Sequence, residues 1–268
     1  MTIIEFRREQ FSLISPLLGE YKEHPVVNAV IEGNASGRIF GDYPTNPGSA
    51  FVLTNAGFSY LAGSPQNDNF NRGLKELLEN DLFPEIRESD DPTLIFYPLT
   101  EGWGQTIQTI LRDHQPIRIF RRQFTFNPKK FWQQALQNKL VPTGLQLCAI
   151  NQALLERTET DMFPWESPQA FVEKGFGFWL MAGEEIISEC SSAFIGKGAV
   201  EINVYTHEEY QRQGLATIVA SALIEECLAR GLRPNWECWW ENEPSVALAL
   251  KLGFEFAIDH AVYLTELP

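Results

Sequence analysis

Glu209-Tyr210-Gln211-Arg212-Gln213-Gly214-Leu215-Ala216-Thr217 lies where a strand pattern gives way to a helical one, and its reading decides the fold. Ala199 to Thr206, just upstream, reads as a strand. Downstream, Leu215, Ile218, Val219, Ala222, Leu223 and Cys227 mark one stripe of a helix that runs to about Arg230 and is closed by Gly231. The first turn of such a helix has unpaired amides and the positive end of the dipole, so it is a seat for an anion. Gly214 and Ala216 allow close backbone approach to a phosphate, Thr217 can add a hydroxyl donor and Arg212 a cation.

Outward from this turn the organisation is regular. Phe176 to Met181, Ile186 to Phe194 and Ala199 to Thr206 are strand patterns joined by turns at Gly183-Glu184 and Gly196-Lys197-Gly198, which predicts an antiparallel meander. Asn235 to Trp240 reads as another strand, so Ala199 to Trp240 forms a right-handed parallel crossover. Ser245 to Leu252 is helical and stops at Gly253, and Phe254 to Leu264 is the final strand region. Further upstream the spacing predicts helices over Lys129 to Lys139 and Asn151 to Arg157, a strand over Leu145 to Ile150, and a helix capped by Ser167 with Pro168 in its first turn.

The first half also mixes both signals. Phe11, Ile14, Leu17 and Leu18 give Phe6 to Tyr21 helical spacing. Ser49 to Leu53 and Phe58 to Leu61 read as a hairpin through Asn55-Ala56-Gly57, followed by a helix over Asn71 to Asn80, a strand over Thr93 to Tyr97 and a helix over Gly104 to Leu111. Ile117 to Phe126 is strand-like. The boundary between halves falls near Asn127-Pro128, giving domains over 1–125 and 126–268.

Two runs together carry a family resemblance. Gln211-x-x-Gly214-x-Ala216 matches the signature of the GNAT (GCN5-related) N-acetyltransferases, and Asn242-x-x-Ser245-Val246-Ala247-x-x-Lys251-Leu252-Gly253-Phe254 is similar to that family's second cofactor motif. Gly214-Leu215-Ala216-Thr217 with Ser245-Val246-Ala247-Leu248-Ala249 also resembles the subgroup that includes the acetyltransferase conferring resistance to zwittermicin A. The resemblance implies an α/β (α+β) fold with a mixed central sheet flanked by helices. A smaller α/β N-terminal domain precedes it, a degenerate GNAT-like half that shapes the acceptor pocket. It implies acetyl-CoA as co-substrate, held by the end of a splayed strand (Val204, Tyr205, Thr206), by Gln211, Arg212, Gln213, Gly214, Leu215, Ala216 and Thr217, and by Asn242 and Ser245. A homodimer, common in the family, is the implied assembly, although no segment marks an interface.

Direct acetyl transfer needs a base for the ammonium proton, a donor that polarises the carbonyl, and an acid for the leaving thiolate. In many members a tyrosine four residues before the last motif's glycine is that acid; here the position holds Ala249. Ser245, Tyr205 or a water could substitute. Strand alternation puts Glu201, Asn203 and Tyr205 on one face, which makes Glu201 the candidate base, with His207 the other titratable candidate. Trp239-Trp240 and Trp236 beside the second motif serve either as packing or as a face for a cation.

Composition narrows the partners. With 35 acidic against 21 basic residues and a formal net charge of -14, the surface repels nucleic acid and suits a cationic small molecule. Together with this charge, the subgroup resemblance implies an acceptor that is a primary amine of a small, antibiotic-like compound. Cys148, Cys190, Cys227 and Cys238 are scattered in apolar runs without metal spacing, so they read as buried thiols in a reducing compartment, and no metal is expected. The N-terminal residues lack a signal-peptide core, and no run approaches the roughly 18 apolar residues of a membrane span. The expected protein is cytoplasmic and soluble. The alternative function is a regulatory module that binds coenzyme A without turnover, kept open by Ala249.

Overall fold

The computed structural model describes residues 3–135 and 140–267. Two compact units emerge, Met1–Phe120 with Ala261–Pro268, and Arg121–His260. The chain passes between them inside two long strands, Ile117–Phe126 and Phe254–Glu266. A break inside a strand leaves no mark in strand periodicity, which is why the division falls ahead of the turn at Asn127-Pro128 and why the last residues return to the first unit.

In the first unit β1 (Ile4–Glu5), β2 (Gly37–Gly41), β3 (Ser49–Thr54) and β4 (Phe58–Gly63) pair antiparallel in order. β5 (Thr93–Pro98) lies parallel to β4, and the C-terminal residues Tyr263 to Glu266 lie antiparallel to β5. Helices α1 (Pro25–Glu32), α2 (Asp68–Leu77), α3 (Phe83–Arg87) and α4 (Trp103–Ile110) accompany them. Phe51, Phe70, Phe83, Phe96 and Trp103 fill a core between α2 to α4 and the strands. The helix expected over Phe6 to Tyr21 is instead two tight 3₁₀ stretches, Arg8–Leu17 and Gly19–Glu23. Pro16 sits inside the first, where it has no amide to give an α ladder. The helix expected from Asn71 begins earlier, at Asp68, because the Asn67 side chain caps it by accepting from the Phe70 amide. A π turn at Leu78–Leu82 then carries the chain on into α3.

The second unit takes β6 (Ile117–Phe126) from Arg121 onward, then α5 (Pro128–Ala135), β7 (Gln146–Ala149), α6 (Gln152–Thr158) and α7 (Pro168–Lys174). The meander follows as β8 (Gly177–Ala182), β9 (Glu185–Gly196) and β10 (Ala199–Thr206), then α8 (Leu215–Ala229), β11 (Arg233–Trp239), α9 (Glu243–Lys251) and β12 (Phe254–Glu266). Residues 136–139 of the helix expected to reach Lys139 lie outside the described residues. Strand order is β7-β8-β9-β10-β11-β6, with β10 and β11 the parallel pair and all other neighbours antiparallel. The first unit has the same order and the same senses of pairing, with its C-terminal residues in the place of β6.

One face of the second unit's strands is covered by α8, where Leu180, Cys190, Val200 and Ile202 meet Leu215, Val219 and Leu223. The other is covered over β7 to β9 by α6 and α7, around Trp165, Phe171, Trp179 and Met181. No helix among the described residues is long and apolar enough to cross a membrane.

Two glycines share a backbone conformation but not a role. Gly253 has φ +86, and a Cβ there would stand 2.5 Å from the Phe131 nitrogen; Gly214 has φ +82, and a Cβ would meet nothing within 4 Å. Left-handed backbone costs a residue with a side chain about 1–2 kcal/mol. Gly214→Ala is expected to lose only that much, and Gly253→Ala more than about 3 kcal/mol because backbone must also move. Denaturant midpoints of the two variants check the difference.

Candidate active site

The parallel pair β10/β11 is short. Ala199, Val200 and Glu201 match Arg233, Pro234 and Asn235, and beyond Glu201 the two strands no longer pair. β9 follows β10 along its whole length, with a register shift between Glu201 and Ile202. The end of β10 is thus held on one side and parted from its neighbour on the other. A cavity of about 810 Å³ lies along the parted edge.

Its walls come from three elements. Val204, Tyr205 and Thr206 supply the strand, Gln211, Arg212, Gly214, Leu215, Ala216 and Thr217 the loop and the start of α8, and Asn242 and Ser245 the start of α9. Gly214 and Arg212 both have positive φ, which folds the loop tightly onto the helix end. Gln213, expected in the same group, is absent from the lining; its side-chain amide donates to the Glu209 carbonyl at 3.3 Å and braces the loop. Tyr210, Pro244, Ala247, Leu248 and Lys251 also line the cavity and were not among the expected cofactor-binding residues. Lys251 donates from Nζ to Thr217 Oγ1 at 3.2 Å, joining α9 to the second turn position of α8. Its place four residues after Ala247, on one helical face of the second motif, is the signal that could have found it.

These walls fit acetyl-CoA. The amides opening α8, with Arg212 and Lys251, match a pyrophosphate, and Val204, Leu215, Pro244 and Leu248 offer apolar contact to a pantetheine chain. The open space in front of Gly214 leaves the backbone accessible to a phosphate.

Where the strands part, Glu201 is buried and its Oε2 accepts from Asn235 Nδ2 at 2.5 Å. Arg121 pairs with Glu237 at 3.0 Å on the next strand position and lies 4.5 Å over the Trp239 ring. Farther along the same face of β10, Asn203 and Tyr205 are exposed. His207 is exposed and packs edge-on against Tyr205, with ring centroids 5.3 Å apart. The Ser245 hydroxyl accepts from Trp236 Nε1 at 3.2 Å and lies against the Cys238 thiol, whose burial-raised pKa it opposes. The Asn242 side chain is spent on capping α9, accepting from the Ser245 amide at 3.1 Å. Ala249 is wholly buried beside Leu252 and Phe254, so no hydroxyl stands at that position. Trp236 is buried in the same cluster, whereas Trp240 is exposed.

The cysteines are free. Burial pushes the Cys190 thiol well above its ordinary value and that of Cys227 to about 12, so neither supplies a thiolate nucleophile. Among the described residues no group of three or more metal-ligating side chains occurs.

One carboxylate was missed from the sequence. Glu189 on β9 lies directly across from Tyr205, is half-buried, and makes no ion pair among the described residues. Burial pushes its carboxyl above the usual range, with the Trp179 indole and the His207 ring opposing the shift.

The first unit shows what the cavity requires. There β4 and β5 stay paired from Phe58–Ile95 to Leu61–Pro98, and the Leu99 amide extends the ladder to the Leu61 carbonyl. The loop before α2 is filled by its own groups: Asn67 bonds Asp42, and Thr100 and Trp103 both donate to the Gly63 carbonyl.

A model of the GNAT acetyltransferase family matches residues 15–263. YdfB of Bacillus subtilis (strain 168), an uncharacterized N-acetyltransferase, is 29% identical over 264 residues, which span 97% of this chain and 97% of that protein. Among solved structures, a GCN5-related N-acetyltransferase-like protein from Streptococcus suis 89/1591 superposes with a TM-score of 0.71 at 24% identity, covering 95% of this chain and 98% of its own. A tandem GNAT protein from the clavulanic acid biosynthesis pathway gives 0.63 at 12% identity, covering 99% and 98%. These two likenesses show the shared fold.

A carboxyl whose folded-state pKa is raised binds its proton more readily in the folded chain, so stability falls as pH rises through that value. Glu189→Gln is therefore expected to unfold at a higher temperature than the parent at neutral pH. The gain shrinks as pH falls through the raised value and is gone below the ordinary glutamate range. Thermal melts of both proteins across pH test this.

Proposed function

The chain belongs to the GNAT acetyltransferase family, and on that premise we propose that it moves the acetyl group of acetyl-CoA directly to a primary amine of a small molecule. The observation that carries the reading is the cavity itself, which runs from the parted edge of β10 to the amide-rich start of α8. Amides at Gly214 to Thr217, with Arg212 and Lys251, hold the pyrophosphate. The edge of β10 from Val204 to Thr206 pairs with the pantetheine arm as an added strand would. Asn242 fixes the start of α9 beside it.

Glu201 takes the proton that the ammonium must lose, and Asn235 holds its carboxylate in one orientation. As the carbon–nitrogen bond forms and the carbon–sulfur bond breaks, the Ser245 hydroxyl protonates the departing sulfur and is restored by the second proton that the nitrogen sheds. Trp236 fixes that hydroxyl. The high thiol pKa values of Cys190 and Cys227 support direct transfer over a cysteine relay. The acidic surface, and the resemblance of Gly214 to Thr217 and Ser245 to Ala249 to the zwittermicin A resistance subgroup, support a cationic, antibiotic-like acceptor.

Acetyl-CoA at about a hundredfold its dissociation constant should stabilise the protein by about 2.7 kcal/mol, and Gly214→Val should remove that increment. Release of free thiol from acetyl-CoA should accelerate when amines are added. Binding without amine-dependent release would instead indicate a coenzyme A-binding module. Glu201→Gln should retain the ligand-induced stabilisation and slow turnover about a hundredfold; unchanged turnover near neutral pH would remove Glu201 as the base.

A further inference from the structure

We propose that Glu189 and Tyr205, with His207 at their rim, seat a second, non-reacting cationic group of the acceptor, so that the site selects amines carrying two well-separated positive charges. The inference rests on the transferase reading above and adds the shape of its substrate.

Register fixes the layout. Tyr205 is the cross-strand partner of Glu189, and Glu189 is in turn the partner of Trp179 on β8. Directly opposed residues share a face, as do residues two and four apart on one strand. Glu189, Tyr205 and Glu201 therefore all stand on the face opposite α8. Four residues of β10 separate Tyr205 from Glu201, about 13 Å of strand. One face thus carries two carboxylates at the two ends of the parted segment.

The two carboxylates differ in what they are given. Glu201 receives a short hydrogen bond from Asn235. Glu189 receives no lysine or arginine among the described residues, although it is half-buried. The Trp179 indole, wholly buried, influences Glu189 while its Nε1 closes no hydrogen bond among the described residues. A carboxylate withdrawn from water without a cation costs stability, and the fold gains no ion pair in return. What the arrangement suits is an external ammonium. Tyr205, 47% exposed and held edge-on by His207, gives that ammonium an aromatic face beside the charge. Tyr205 also lines the acetyl-CoA cavity, so a cation bound at this end lies beside the cofactor while the reacting amine lies toward Glu201.

The test compares octylamine with diaminooctane, and decylamine with diaminodecane, as acceptors in thiol release from acetyl-CoA. Each diamine is expected to exceed its monoamine by about tenfold in kcat/KM, mainly through KM. Glu189→Gln should collapse that ratio, and Glu189→Asp, which keeps the charge, should retain part of it. A ratio that survives in the Gln variant overturns the proposal. A second measurement separates its failure from failure of the transferase reading: calorimetric titration of diaminodecane into protein saturated with coenzyme A. Binding that weakens about tenfold in Glu189→Gln supports the seat even where no amine accelerates thiol release. Equal binding to both proteins, or none to either, overturns it.

Discussion

Three matched residues of parallel strand, Ala199 to Glu201 against Arg233 to Asn235, are the constraint from which the rest of the catalytic unit follows. Had β10 and β11 paired to their ends, the backbone of Val204 to Thr206 would be consumed in the ladder. Parting them exposes an edge, and an exposed edge in a protein interior must meet something. Here it meets a cavity whose far end is the amide-rich start of α8. Glu201 and Asn235 stand at the last closed pair, so the buried carboxylate and its donor sit at the vertex of the opening.

The first unit is a natural control for this argument. It has the same strand order and the same single parallel pair, yet that pair stays closed along Phe58 to Leu61 and beyond. Its helix start is satisfied by Asn67, and the preceding loop by Asp42, Thr100 and Trp103. The topology is thus shared by a unit with an open cavity beside its parted strands and one whose corresponding space is taken by its own side chains. Strand order sets where a site can form; the extent of pairing decides whether it does.

Much of this was legible in the residues. The meander, the crossover and the loop from Glu209 to Thr217 are local patterns, written in period-2 and period-3.6 spacing and in where glycine falls. The two motif runs were readable as helix starts for the same reason, Gly214 opening α8 and Asn242 opening α9. The parts that were not legible depend on cross-strand register or on long reach. Nothing near Glu189 in the chain announces that Tyr205 stands opposite it, because the match is set by cross-strand register, which shifts between Ser192 and Phe194 of β9. Lys251 reads in the sequence only as a motif position, and its reach to Thr217 appears once α9 is packed beside α8. Asn242 is expected beside the cofactor, and only the distance to the Ser245 amide shows that its side chain caps α9. In the first half, Pro16 outweighed a helical spacing that apolar residues alone had suggested.

The strands that carry the chain between units have a consequence for synthesis. Residues 93 to 96 must wait for residues 263 to 266 before their sheet is complete, although every other strand of that unit emerges early from the ribosome. Closing so long a loop is slow, and until it closes β5 presents an unpaired edge rich in Leu94, Ile95 and Phe96. The first unit completes its sheet only once Tyr263 to Glu266 have been made, far behind its other strands. Its completion is coupled to the arrival of that strand, and until then an apolar edge stays open to wrong partners.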